Sequence, residues 1–138
     1  MDDDARFFAL PRPGDIVWCK FPQDKKLIPG PKARPALVMR IGDIDGNPAV
    51  AIAYGTSQRV DKLHPGEFAI TRADREAFAL AGLSFDTKFD LAQVIELPYS
   101  DRWFGVPPGV PYGQTPKLGV LHPTMVRRAT AAFRATGK

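Results

Sequence analysis

Hydrophobic and polar positions alternate in short runs along most of this chain, and clusters of Gly, Pro, Asp and Asn separate the runs. That rhythm predicts β-strands, whose side chains point to opposite faces with period two. A first strand is expected over 16–21, rich in β-branched and aromatic residues, after the turn cluster Pro11-Arg12-Pro13-Gly14-Asp15. A second is expected over 35–41 and a third over 49–54, with Gly42-Asp43-Ile44-Asp45-Gly46-Asn47 supplying hairpin chemistry between them. Residues 67–70 read as a fourth strand. Phe89, Leu91, Gln93, Ile95 and Leu97 share one side of a fifth over 88–97, Gln93 being the polar member of that row. Residues 117–121 form a last short strand.

Two segments change to helical spacing. Thr71 begins a helix with Asp74 three residues on, a variant of the capping box, and Gly82 suits the residue after its end. His122-Pro123 opens a C-terminal helix over 123–136, with Pro at the permitted first position. Met125, Ala129, Ala132 and Phe133 form its apolar stripe; Arg127, Arg134 and Lys138 lie opposite, with Arg128 nearby. Residues 1–10 read as an arm whose Phe7, Phe8 and Leu10 pack on the domain or on a second subunit. Residues 98–116 are an insertion dense in Pro, Gly and aromatics: Tyr99, Trp103, Phe104 and Tyr112 either cover a barrel end or stack bases beside a basic groove. The fold class is mainly β with short helices (α+β), a small barrel carrying a C-terminal helix.

At 138 residues the chain is one domain, 1–138, long enough to bury a core without staples. No apolar run approaches the roughly 18 residues of a membrane span, and the start, Met1-Asp2-Asp3-Asp4, is acidic where a secretory signal is basic. The lone Cys19 leaves no internal disulfide or cysteine-rich zinc site and suits a small buried hydrophobe. A cytoplasmic protein without membrane contact is the expectation. A formal charge of +4 permits a polyanionic partner without requiring one. Asp43 and Asp45 have the spacing that begins a calcium loop, but Gly55 stands at the closing position where an acid is needed, so no metal site is expected.

The candidate chemistry starts at Lys32-Ala33-Arg34-Pro35-Ala36-Leu37-Val38. Pro35 belongs at the first residue of its strand and biases Arg34 to extended backbone, so the guanidinium sits at a strand mouth. It either caps that strand end as an ordinary surface cation or contacts an anion. The loop 22–33 ahead of it carries Lys25, Lys26 and Lys32, which either guide a phosphate chain toward Arg34 or belong to a solvated lid. The third strand ends in Gly55-Thr56-Ser57-Gln58, with three consecutive side chains able to hydrogen-bond; a hydroxyl-capped turn is the plainer alternative. His64, beside Pro65-Gly66, reads as a solvated turn residue.

Together, Arg12-Pro13-Gly14-Asp15-Ile16-Val17-Trp18, Ala33-Arg34-Pro35-Ala36-Leu37-Val38 and Gly55-Thr56-Ser57-Gln58 resemble the MazF/PemK-type toxins of bacterial type II toxin–antitoxin systems, more weakly at 89–97. The resemblance implies an SH3-like/CcdB-like barrel, usually a homodimer, with an RNA groove built by strand-end loops. It implies metal-independent, cofactor-free endoribonuclease activity on single-stranded RNA, inhibition by a cognate antitoxin, and DNA binding by the toxin–antitoxin complex. Arg34 and Thr56 stand at the family's catalytic Arg and Thr; Lys32, Ser57, Gln58 and Gln93 are the expected substrate contacts. Two departures appear. Asp90 and Ala92 stand where some members have an Arg and an acid, and Val94, Ile95 and Glu96 follow Gln93 where an Arg often stands. Those departures favour the alternative reading, a non-catalytic relative that binds nucleic acid or protein.

Overall fold

The computed structural model describes residues 5–22 and 28–138. Lys25, Lys26 and the first four residues of the arm lie outside the described residues. Six strands form one antiparallel sheet: β1 (Asp15–Cys19), β2 (Arg34–Ile44), β3 (Asn47–Thr56), β4 (Glu67–Ile70), β5 (Thr87–Pro98) and β6 (Lys117–Val120), in the order β4-β5-β3-β2-β1-β6. All six expected strands are present, although β2, β3 and β5 run longer than expected and β1 stops at Cys19. The β2–β3 hairpin turns at Asp45 and Gly46, both with positive φ (53° and 84°), as a two-residue turn matching strand twist requires.

The sheet is open between its edge strands β4 and β6, yet it curls so that both edges contribute to one core. Ile16, Leu37, Ala53, Phe68, Ile70, Phe89 and Leu91 are buried there, with Leu118 of β6 packed against them. A short helix α1 (Glu76–Leu80) lies across the opening. Its end meets β6 backbone to backbone: a Cβ on Gly82 would collide with the Leu118 carbonyl, and one on Gly119 with the Ala81 carbonyl. The second helix, α2 (Val126–Ala135), is preceded by a 3-10 turn at Pro123–Met125 whose N-cap, His122, accepts from the Thr124 amide through Nδ1 (3.1 Å). Arg128 of α2 donates to the Ala69 carbonyl (3.1 Å), blunting the free edge of β4. No helix among the described residues is long and apolar enough to cross a membrane.

The opposite face holds a second core of Val17, Cys19, Ala36, Val38, Val50, Ile52 and Leu97, closed by Tyr99, Trp103 and Phe104. Burial pushes the Cys19 thiol well above its ordinary range, consistent with an inert hydrophobe. The first half of the 98–116 segment therefore covers a core: Tyr99, Trp103 and Phe104 are buried and present no face to a base, whereas Tyr112 is exposed. The arm folds back on the same chain, the Phe8 amide donating to the Tyr99 carbonyl (3.0 Å) and the two rings packing edge-on at 5.7 Å.

Three expectations change. The helix begun at Thr71 breaks into a 3-10 turn (Arg72–Asp74) and α1, because Arg75 takes φ 49° between them. Asp74 still accepts from the Thr71 amide (2.8 Å), but its carboxylate also binds Arg128 (2.9 Å), and this tie to α2 accompanies the break. Phe133 lies at the margin of the α2 stripe, 40% exposed, while Met125 and Ala132 are buried. Finally, the period-two row of β5 is interrupted. Ala53 pairs with Val94 but Gly55 with Phe89, so on the β3 side residues 90–93 stand opposite Tyr54 alone, while on the other side Asp90 pairs with Glu67 and the Leu91 amide donates to the Gly66 carbonyl (2.7 Å). Asp90 fixes this bulge by accepting from the Ala92 amide (3.0 Å). Phe89 and Leu91 consequently join the first core, Ile95 and Leu97 the second, and Gln93 is exposed between them.

Candidate nucleic-acid interface

The site is assembled where β1, β2 and β3 end together. Cys19 pairs with Arg34, and Ala36 pairs with Tyr54. Along β2, Arg34 shares a face with Ala36 and Val38; along β3, Thr56 shares that face with Tyr54 and Ile52. The register carries Arg34 and Thr56 to corresponding ends of neighbouring strands. Gly55 makes this approach possible, since a Cβ there would lie 2.6 Å from the Pro35 carbonyl oxygen and 2.9 Å from the Phe89 ring.

A cleft of about 580 Å³ opens at this place, lined by Phe21, Pro22, Lys32, Arg34, Tyr54, Thr56 and Gln58. Phe21 packs on Tyr54 with ring centroids 4.7 Å apart, giving the cleft an aromatic wall. Thr56 Oγ1 accepts from the Gln58 amide (3.1 Å), which leaves the hydroxyl proton available to donate. Arg34 is half-buried, and among the described residues neither it nor Lys32 has a carboxylate partner. No lining residue is acidic. Among the described residues the two cations face the opening without a counter-charge, an arrangement that suits an anion, and the guanidinium fork suits phosphate oxygens.

A second cleft, about 460 Å³, lies on the other face of the same strand ends and shares Lys32 and Arg34 with the first. Its walls are mostly apolar, including Trp18, Pro35, Phe85, Pro108, Pro111 and Leu118. Of the expected site residues, Lys32, Arg34, Thr56 and Gln58 converge in the first cleft and Ser57 in the second. Gln93 lines neither. The sequence reading missed Phe21 and Tyr54, although Tyr54 stands two positions before Thr56 and must share its face. It also missed Phe85, for which no local pattern exists.

A curled antiparallel sheet with a cationic cleft at its strand ends, acid-free among the described residues, defines a small β-rich protein with a candidate anion site. Residues 12–117 match the family described as PemK-like, MazF-like toxin of type II toxin-antitoxin system, and the chain belongs to it. Membership implies an antitoxin partner. No curated protein matches the sequence.

Proposed function

We propose that this toxin is an endoribonuclease that cleaves single-stranded RNA through its own 2′-hydroxyl, without a metal ion or cofactor. The observation that carries the reading is the convergence of Arg34, free of any carboxylate among the described residues, with Thr56 in one cleft. Attack of the 2′-oxygen on phosphorus gathers negative charge on the non-bridging oxygens. Arg34, with Lys32 beside it, stabilises that charge as it develops, the largest lever a preorganised site has. Thr56 orients the 2′-hydroxyl or the phosphate by hydrogen bonding, and Ser57 and Gln58 hold flanking groups. Gln93 acts only where the RNA runs beyond these clefts. The P–O5′ bond breaks, leaving a 2′,3′-cyclic phosphate and a 5′-hydroxyl. The toxin acts in the cytoplasm as a homodimer, and with its antitoxin it binds DNA.

A second reading has its own support. Neither cleft is lined by an Asp, Glu or His that would serve as general base, and the Asp90–Ala92 bulge occupies the strand where some members carry charged site residues. On that reading the same groove binds nucleic acid or protein without cutting. Incubation of purified protein with single-stranded RNA in EDTA separates the two. The nuclease reading expects new cyclic-phosphate ends that Arg34→Ala abolishes. Intact RNA across a diverse pool, with growth arrest still seen on expression, favours the binding reading.

A further inference from the structure

The apolar cleft is not used by the chemistry above, yet it opens from the same two cations. Lys32 and Arg34 line both clefts, so they stand on the saddle between the Thr56 face and the Trp18 face of the strand ends. A phosphodiester seated on that saddle with its ribose toward Thr56 has an adjoining base within reach of the apolar side.

The cleft is built for a flat, weakly polar group. Phe85 is 65% exposed, the most exposed large hydrophobic among the described residues, and it lines the cleft. Here the exposed ring does not stand alone: it joins Trp18, Pro35, Pro108, Pro111 and Leu118 in one apolar concavity, the kind of surface that takes a ligand. It is also held in place. The Thr87 hydroxyl donates to the Phe85 carbonyl (2.7 Å), Arg72 donates to the Ser84 carbonyl (2.7 Å), and the Arg72 amide donates to Asp86 (2.8 Å). The far wall comes from the insertion, through Pro108 and Pro111. Between them Val110 takes φ 41°, a conformation that a β-branched residue adopts only under constraint. An aromatic on a tethered backbone, a half-buried indole and two prolines thus surround an opening whose rim is cationic and, among the described residues, bears no acid.

We propose that this cleft receives a nucleobase next to the scissile phosphate, with Phe85 and Trp18 as stacking faces, and that Pro108 and Pro111 of the insertion shape its preference. The assignment rests on the nuclease reading and adds to it the residues that select the sequence. Stacking on an aromatic side chain is worth roughly tenfold or more per base.

The test maps the ends that wild-type, Phe85→Ala, Pro111→Ala and Leu63→Ala proteins generate from a randomised single-stranded RNA pool. Leu63, exposed and lining neither cleft, serves as the control. Phe85→Ala is expected to cut the favoured site with about tenfold lower kcat/KM and to lose base preference at a single position beside the cut. Pro111→Ala shifts preference at that same position, and Leu63→Ala keeps the wild-type pattern. Phe85→Ala protein that cuts with unchanged preference overturns the pocket assignment alone. Unchanged preference combined with weakened antitoxin binding gives the cleft to a protein partner instead. Wild-type protein that cuts no RNA overturns the nuclease reading and this assignment with it.

Discussion

Basic residues in two parts of the sheet are used in opposite ways. Near β4, Lys88 and Arg128 are matched. Lys88 reaches Glu67 (3.1 Å) with both side chains under 10% exposed, and donates to the Lys62 carbonyl (2.8 Å). Arg128 of α2 meets Asp74 at 2.9 Å. At the mouth of β2, Arg34 and Lys32 have no acid opposite them among the described residues. The matched cations hold β4, β5 and α2 together. The unmatched ones are left, among the described residues, to meet an anion from outside. A net charge of +4 says nothing of this division; the pairing pattern does.

The sharpest way to break the comparison is to remove a matched cation. Lys88→Ala strands the Glu67 carboxylate in a nearly dry position, and a chemical-denaturation curve should show a loss of about 3 kcal/mol. A smaller loss, about 1–3 kcal/mol, is expected for Gly55→Ala, whose new methyl meets the Pro35 carbonyl and the Phe89 ring. That change also pries β2 from β3, so RNA cleavage should fall with stability, which links the fold to the cleft. The smallest effect is in pH. Burial alone raises the Glu67 carboxyl, but the His64 amide and Lys88 overcome it and hold the group below its ordinary value. Asp74 follows the same pattern, with burial outweighed by Arg128 and the Thr71 amide. Carboxyls depressed in the fold contribute stability that is present above their ordinary values and lost as pH falls through the lowered ones. Thermal melting should therefore be flat from about pH 7 to 5 and decline below about pH 4. Arg128→Ala should flatten the Asp74 part of that decline.

Much of the sheet was legible because its signals are local. The strands β1 to β3 are apolar runs with β-branched and aromatic residues bounded by turn clusters, and Asp45-Gly46 marks the hairpin between β2 and β3. The bulge in β5 was not legible: Gln93 continues an apolar period-two row in the sequence, and only the pairing of Ala53 with Val94 and Gly55 with Phe89 shows that the register with β3 shifts between them. The break at Arg75 had no Gly or Pro to announce it; it accompanies the long-range tie between Asp74 and Arg128. Burial of Trp103 and Phe104 likewise depends on a strand far away in sequence, through Lys20 donating to the Trp103 carbonyl (2.7 Å). For the site, Arg34 and Thr56 stood out by family pattern and by their places at strand ends. Phe21, Tyr54 and Phe85 did not, because wall residues are defined by curvature of the sheet and carry no motif.

The most direct measurement compares Arg34→Ala with Arg128→Ala, each assayed for RNA cleavage in EDTA and for thermal stability. Arg34→Ala should cleave at least about 100-fold more slowly while melting with the wild type. Arg128→Ala should lose about 1 kcal/mol of stability, melt at a lower temperature and cleave normally. Arg34→Ala protein that still cleaves RNA at the wild-type rate would contradict the assignment of the unmatched guanidinium to catalysis.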